Sequence, residues 1–91
     1  MKDDITDIYD KWVSFKEIFE WFNGAYGHNF KYKEVKDMKG KKFKVSNAEM
    51  IAADFRDKND NYYALFPTEE GLFLSCNSLY TDGENIALFK E

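Results

Sequence analysis

Catalysis needs a reactive side chain held beside a partner, and this chain offers few of either. His28 is the only histidine and Cys76 the only cysteine among 91 residues. His28 lies in a Gly-His-Asn turn ahead of a lysine-rich run, which suits a surface position better than a positioned base. Cys76 ends the strand-like run Gly71-Leu-Phe-Leu-Ser-Cys and reads as a small apolar core residue. One His and one Cys far apart in sequence do not make a structural zinc site within one chain. A single cysteine forms no intramolecular disulfide, so no oxidising compartment is required. Asp57, Asn59 and Asn61 have the first spacings of a calcium loop. Tyr62 then stands where glycine is needed, and Thr68 where a bidentate glutamate is needed, so a hairpin turn is expected. No phosphate-binding or dinucleotide fingerprint is present. The expectation is a protein that is not an enzyme, with no cofactor and no metal.

Charge is more informative. The net charge of −4 divides into three blocks. Residues 1–23 carry six acids against three lysines, residues 24–47 seven lysines against two acids, and residues 48–91 nine acids against three bases. In the middle block Lys31, Lys33, Lys36, Lys39, Lys41, Lys42 and Lys44 interleave with Phe30, Tyr32 and Phe43. Surfaces that bind single-stranded nucleic acid put cations and stacking aromatics on one accessible face. Strict alternation in a strand does the reverse, sending Phe30 and Tyr32 to one side and Lys31 and Lys33 to the other. The lysines could still meet phosphates, with Lys31, Lys33, Lys41, Lys42 and Lys44 as the contact residues of a 31–44 hairpin. The run Val35-Lys-Asp-Met-Lys-Gly-Lys-Lys-Phe43, with strand-like segments to about residue 78, resembles the opening of small phage-type OB-like domains. That likeness covers about half the chain, contains no specific motif, and implies a single-strand-binding accessory domain.

The leading functional expectation is different: a small acidic module that binds another protein, as an inhibitor or modulator of a larger, nucleic-acid-handling partner. Acid-rich domains can occupy basic grooves because carboxylates stand in for phosphates. Trp21 is its expected anchor, since tryptophan is enriched in interface hot spots. On a helical projection Trp21 falls beside Asp10, Ser14 and Glu17, opposite the apolar stripe, and Asp7 extends that acidic side. Size and composition fit a phage or mobile-element protein, and sharing part of the aromatic stripe would give a homodimer.

The elements that must position these residues follow from periodicity. Ile5, Ile8, Tyr9 and Trp12 match a buried helical face, and Phe15, Ile18, Phe19 and Phe22 match it again. The two faces differ by roughly 80° at about 100° per residue. Ser14-Phe-Lys-Glu17 between them is a capping-box pattern. A helical segment over about 4–23, kinked or split near Ser14, is expected, stopped by Asn23-Gly24. Period-two alternation then predicts strands at about 29–35 and 41–46, a hairpin of 61–67 with 71–76, and a last strand at 85–90 after the Asp82-Gly83 turn. Residues 47–57 fit helix or strand, with strand favoured. The predicted architecture is α+β in a single domain, a helical segment packed on an antiparallel meander of about five strands over 29–90. The start lacks the charged-then-apolar run of a secretory signal and the longest apolar run is Tyr62 to Phe66, so a soluble, cytoplasmic protein without membrane contact is expected.

Overall fold

The computed structural model describes residues 8–49, 52–77 and 84–91. Ile5, Asp7 and the Asp82-Gly83 turn lie outside the described residues. The chain is α+β: among the described residues one α-helix, α1 (Phe15–Tyr26), precedes five strands, β1 (Phe43–Glu49), β2 (Ala52–Asp57), β3 (Tyr62–Thr68), β4 (Gly71–Asn77) and β5 (Glu84–Phe89). The strands form one antiparallel meander in sequence order. β1 and β5 are therefore opposite ends of an open sheet, which corrects the OB-like resemblance, because an OB fold is a Greek-key barrel.

Helix α1 begins where the capping box places it. Ser14 Oγ accepts from the Glu17 backbone N–H at 3.2 Å, and Glu17 Oε1 accepts from the Ser14 N–H at 3.0 Å. This reciprocal pair satisfies two donors that the first turn leaves open. The hydrogen bond from the Ser14 backbone holds the Glu17 carboxyl below its ordinary pKa. The helix does not stop at Asn23-Gly24. It runs to Tyr26, and Gly27, at φ 70°, supplies the left-handed residue and donates to the Asn23 carbonyl. Asn23 instead grips the returning chain: its Nδ2 donates to the Phe30 carbonyl at 2.9 Å, and its Oδ1 accepts from the Phe30 N–H at 3.3 Å.

Two segments differ from the predicted elements. Residues 8–14 are not helical. Val13 and Phe43 exchange both backbone hydrogen bonds, at 2.8 and 2.7 Å, and Tyr9 bridges Val45 in the parallel sense. Asp10, at φ 65°, reverses the chain between those contacts. The outer edge of β1 would otherwise present unpaired amides and carbonyls, and residues 9 and 13 cover part of it. Residues 29–35 form no strand, and the 31–44 hairpin does not exist. Lys31 donates to the Lys90 carbonyl at 2.8 Å just beyond β5, and Lys36–Met38 then makes a short 3-10 turn. Alternation here reflects a chain lying over a core, with Phe30 and Val35 buried, and not a ladder. The ambiguous 47–57 segment is strand throughout its described part: β1 continues to Glu49 and β2 starts at Ala52.

One hydrophobic core lies between α1 and the inner face of the sheet. Phe15, Ile18, Phe19 and Phe22 bring the helix side, and Phe43, Phe55, Leu65, Leu72, Leu74 and Phe89 the sheet side, all at 2% exposure or less. Each strand alternates its side chains, so the same register fixes a second face turned away from α1. No described helix is long and apolar enough to cross a membrane.

Candidate functional site

The outer face of the sheet is organised in rows set by strand register. Lys44 of β1 stands opposite Arg56 of β2, and Arg56 opposite Tyr62 of β3. Asp54, Ala64, Ser75 and Asn85 make the next row. Phe66, Phe73 and Leu88 make the one after, with the two phenyl rings 5.9 Å apart. Trp12, beside the Val13–Phe43 bridge, extends the first row past β1. Tyr62 is 41% exposed. Trp12, Phe66, Phe73 and Leu88 are half-buried and stand apart from the core cluster.

Cations gather on Trp12. Lys44 Nζ, Arg56 Cζ and Lys58 Nζ lie 5.2, 5.3 and 5.2 Å from the ring centroid of Trp12. Each contact is attractive through the ring quadrupole, worth about 0.5–1 kcal/mol at an exposed site. The cations repel one another, and like charges directly opposite across two strands are destabilising. Lys44 and Arg56 are such a pair, in a chain with 17 acids available to stand there instead. Asp60 meets Arg56 at 3.4 Å from a side chain 76% exposed, where water and salt leave an ion pair worth little. A local rule is broken at this row, and such places are where functional sites are expected. Beside it, a cleft of about 300 Å³ is lined by Gly40, Lys41, Lys42, Asp57, Lys58 and Asn59, so the lysine run reaches the same corner.

Comparison with models of known families, with curated proteins and with solved structures returns no match for this chain. Its geometry alone carries the functional argument.

The residues named from sequence distribute unevenly over this geometry. Lys44 comes together with Arg56 and Lys58 at Trp12, while Lys41 and Lys42 line the neighbouring cleft that Lys58 shares and do not touch the indole cluster. Lys31 and Lys33 do not join them, since Lys31 is tied by its backbone to Lys90 and Lys33 Nζ sits 5.8 Å from the Phe89 ring. Trp21 is half-buried, packed edge-on to Phe22 and Tyr26 at 6.4 and 6.1 Å, and its indole N–H is buried without a hydrogen-bond partner. The projection that set Trp21 beside Asp10 assumed one helix through both. Asp10 lies in the turn before α1, Glu17 is engaged with Ser14, and Asp7 is outside the described residues. His28 packs between Phe22 and Phe30, with ring centroids at 5.7 and 4.9 Å. Arg56, Lys58, Tyr62 and Trp12 were missed as a site. Only the register that pairs residue 44 with 56 and 56 with 62 reveals them.

The 57–61 turn is the expected hairpin turn and frames the cleft. The buried Asp57 carboxylate accepts from the backbone N–H groups of Asn59 and Asn61, from Asn61 Nδ2 and from the Tyr63 hydroxyl, at 2.8 to 3.2 Å. These donors point at the carboxylate, so the loop satisfies itself and is no cation cage. Burial pushes the Asp57 pKa up, but the hydrogen bonds from Asn61, Asn59 and Tyr63 outweigh it and set the carboxyl below its ordinary 3.8. A depressed folded pKa means that the unfolded chain binds the proton more readily. The contribution is therefore present above about pH 4 and is lost as pH falls through the folded value. Asp57→Asn is expected to lower stability at pH 7 by about 1–3 kcal/mol, because its amide group turns N–H toward donors. Urea unfolding should show that difference shrinking toward pH 2.5, and a difference independent of pH would contradict this account.

Proposed function

We propose that this chain is a non-enzymatic binding module that holds an anionic partner on the outer face of its sheet, at the corner marked by Trp12. The observation that carries the reading is the directly opposed Lys44–Arg56 pair, joined by Lys58 around one indole. A bound anion would relieve the repulsion that the free protein sustains there. The acidic remainder of the surface supports a local role, because it discourages non-specific association with long polyanions.

This reading moves the contact surface from the Trp21 side of α1 to the opposite side of the molecule. Titration of the protein with a short heparin oligosaccharide, followed by Trp12 emission in a Trp21→Phe background, tests it. Heparin should change the emission at low salt, and the Lys44→Glu, Arg56→Glu double variant should weaken the apparent affinity by tenfold or more. An unchanged spectrum, or equal binding by the double variant, would remove the basis for the proposal.

A further inference from the structure

We infer that the anionic partner is single-stranded nucleic acid, with phosphates at the Trp12 corner and bases laid on Tyr62 and on the Phe66–Phe73 pair. This rests on the reading of the outer face as an anion-binding surface, and adds what the rest of that face implies. Phosphate attraction alone would be served by cations on any convex surface. Here the cation row continues without interruption into aromatics: Arg56 is directly opposite Tyr62, and four residues further along β3 lies Phe66, paired with Phe73. That places a second aromatic station about 13 Å from the first along one strand. Cations and stacking rings on one accessible face are the arrangement that strict alternation denies to residues 30–33. Register across β1, β2 and β3 restores it with different residues.

The face suits unpaired bases specifically. An exposed aromatic ring stacks on a base whose π-face is free, and in a duplex those faces are occupied by neighbouring bases. Reading a duplex groove takes an inserted helix or ribbon, whereas this surface is the outer face of a five-stranded sheet. An acidic peptide would match the cations, but it gains nothing from Phe66, Phe73 and an exposed Tyr62 ring. Asp60, exposed in the turn at the end of the cation row, repels phosphates beyond it, so the contact is confined to a few nucleotides. With three cations engaged, log affinity should fall against log salt with a slope of about −2, from roughly 0.7 per phosphate neutralised on a single strand.

The test is a fluorescence-anisotropy titration of three labelled probes: an oligothymidylate 12-mer, a DNA duplex of the same length, and poly-glutamate of matched charge. Each is titrated with the wild type, Tyr62→Ala, Phe73→Ser and Lys58→Gln, with circular dichroism melts checking that each variant is folded. The wild type should bind the oligothymidylate more tightly than either other probe, with the shallow salt slope above. Tyr62→Ala should weaken that binding by about 5- to 100-fold without moving poly-glutamate affinity, as expected for loss of one stacked base. Lys58→Gln, in an exposed turn, should lower affinity for both single-chain probes and flatten the salt slope. Poly-glutamate binding as tight as the oligothymidylate, or indifference to Tyr62→Ala, would overturn the inference while leaving an anionic protein as the partner. Duplex binding equal to single-strand binding would overturn the stacking role. Failure of all three probes to bind would defeat the anion-binding reading itself.

Discussion

Phe15→Ala is expected to destabilise the protein by about 3–5 kcal/mol, the range for removing a large buried aromatic from a packed core. Phe15 is 2% exposed and lies in the first turn of α1, directly after the Ser14 cap. Its ring meets Phe19 on its own helix, Phe55 on β2, Phe89 on β5 and Tyr32 on the crossing segment, with centroids 5.9 to 6.2 Å away. No single replacement contact can close around the void, because its neighbours belong to four separate segments. The whole domain is expected to hold about 5–14 kcal/mol, from ~0.05–0.15 kcal/mol per residue, so this one change removes a large share. Urea unfolding would show the midpoint falling while the slope stays constant. A loss below about 1 kcal/mol would mean that the site collapses around the deletion and that α1 docks through its later turns instead.

That ring also marks how far the sequence could be read. Ser14, the change of face after it, and the run Phe15, Ile18, Phe19, Phe22 were all legible, because a capping box and a 3.6-residue period are local signals. The segment before Ser14 was not. Ile8, Tyr9 and Trp12 have helical spacing, but only four residues carry that pattern, and the exposed edge of β1 offers Val13 better hydrogen-bond partners than another helical turn would. Tertiary pairing outweighs a short local pattern there. The same reason moved the helix stop: Asn23 is claimed by the returning Phe30 backbone, and the left-handed residue comes at Gly27. Later strands were read more easily, since Tyr62–Thr68 and Gly71–Asn77 alternate within one short hairpin. The candidate site was nearly invisible. Lys44 was visible as a lysine, but its value lies in standing opposite Arg56, and cross-strand register is a non-local property. Trp12 has the spacing of a helical core residue, and only the Val13–Phe43 pairing beside it shows that it stands on the sheet's edge instead.

The second large effect falls on a residue with no side chain at all. Gly71 opens β4 at φ 139°, a conformation that residues with a Cβ rarely adopt. A Cβ built there would collide with the Phe89 backbone carbonyl oxygen, and would come within 3.1 Å of Leu88 Cδ1 and 3.3 Å of the Phe89 carbonyl carbon. Two of those three atoms are backbone in β5, so relief means moving a strand and not turning a side chain. Phe89 itself is fully buried against Phe19 at 4.7 Å, which resists that movement. Overpacking costs about 1–3 kcal/mol, and an unfavourable backbone region about another 1–3 kcal/mol. Gly71→Ala should therefore lower stability by roughly 2–6 kcal/mol from these two sources together. Gly24 is the internal control. It lies exposed within α1 with nothing within 4 Å of a built Cβ, so Gly24→Ala should stabilise by about 0.5–1 kcal/mol through helix propensity. Opposite signs for one chemical change, read from paired urea curves, would establish that the fit of β4 against β5 is set by backbone approach. Equal effects at both glycines would mean that β5 can shift away from Gly71, and the tight packing of Phe89 under α1 would have to be abandoned as the restraint.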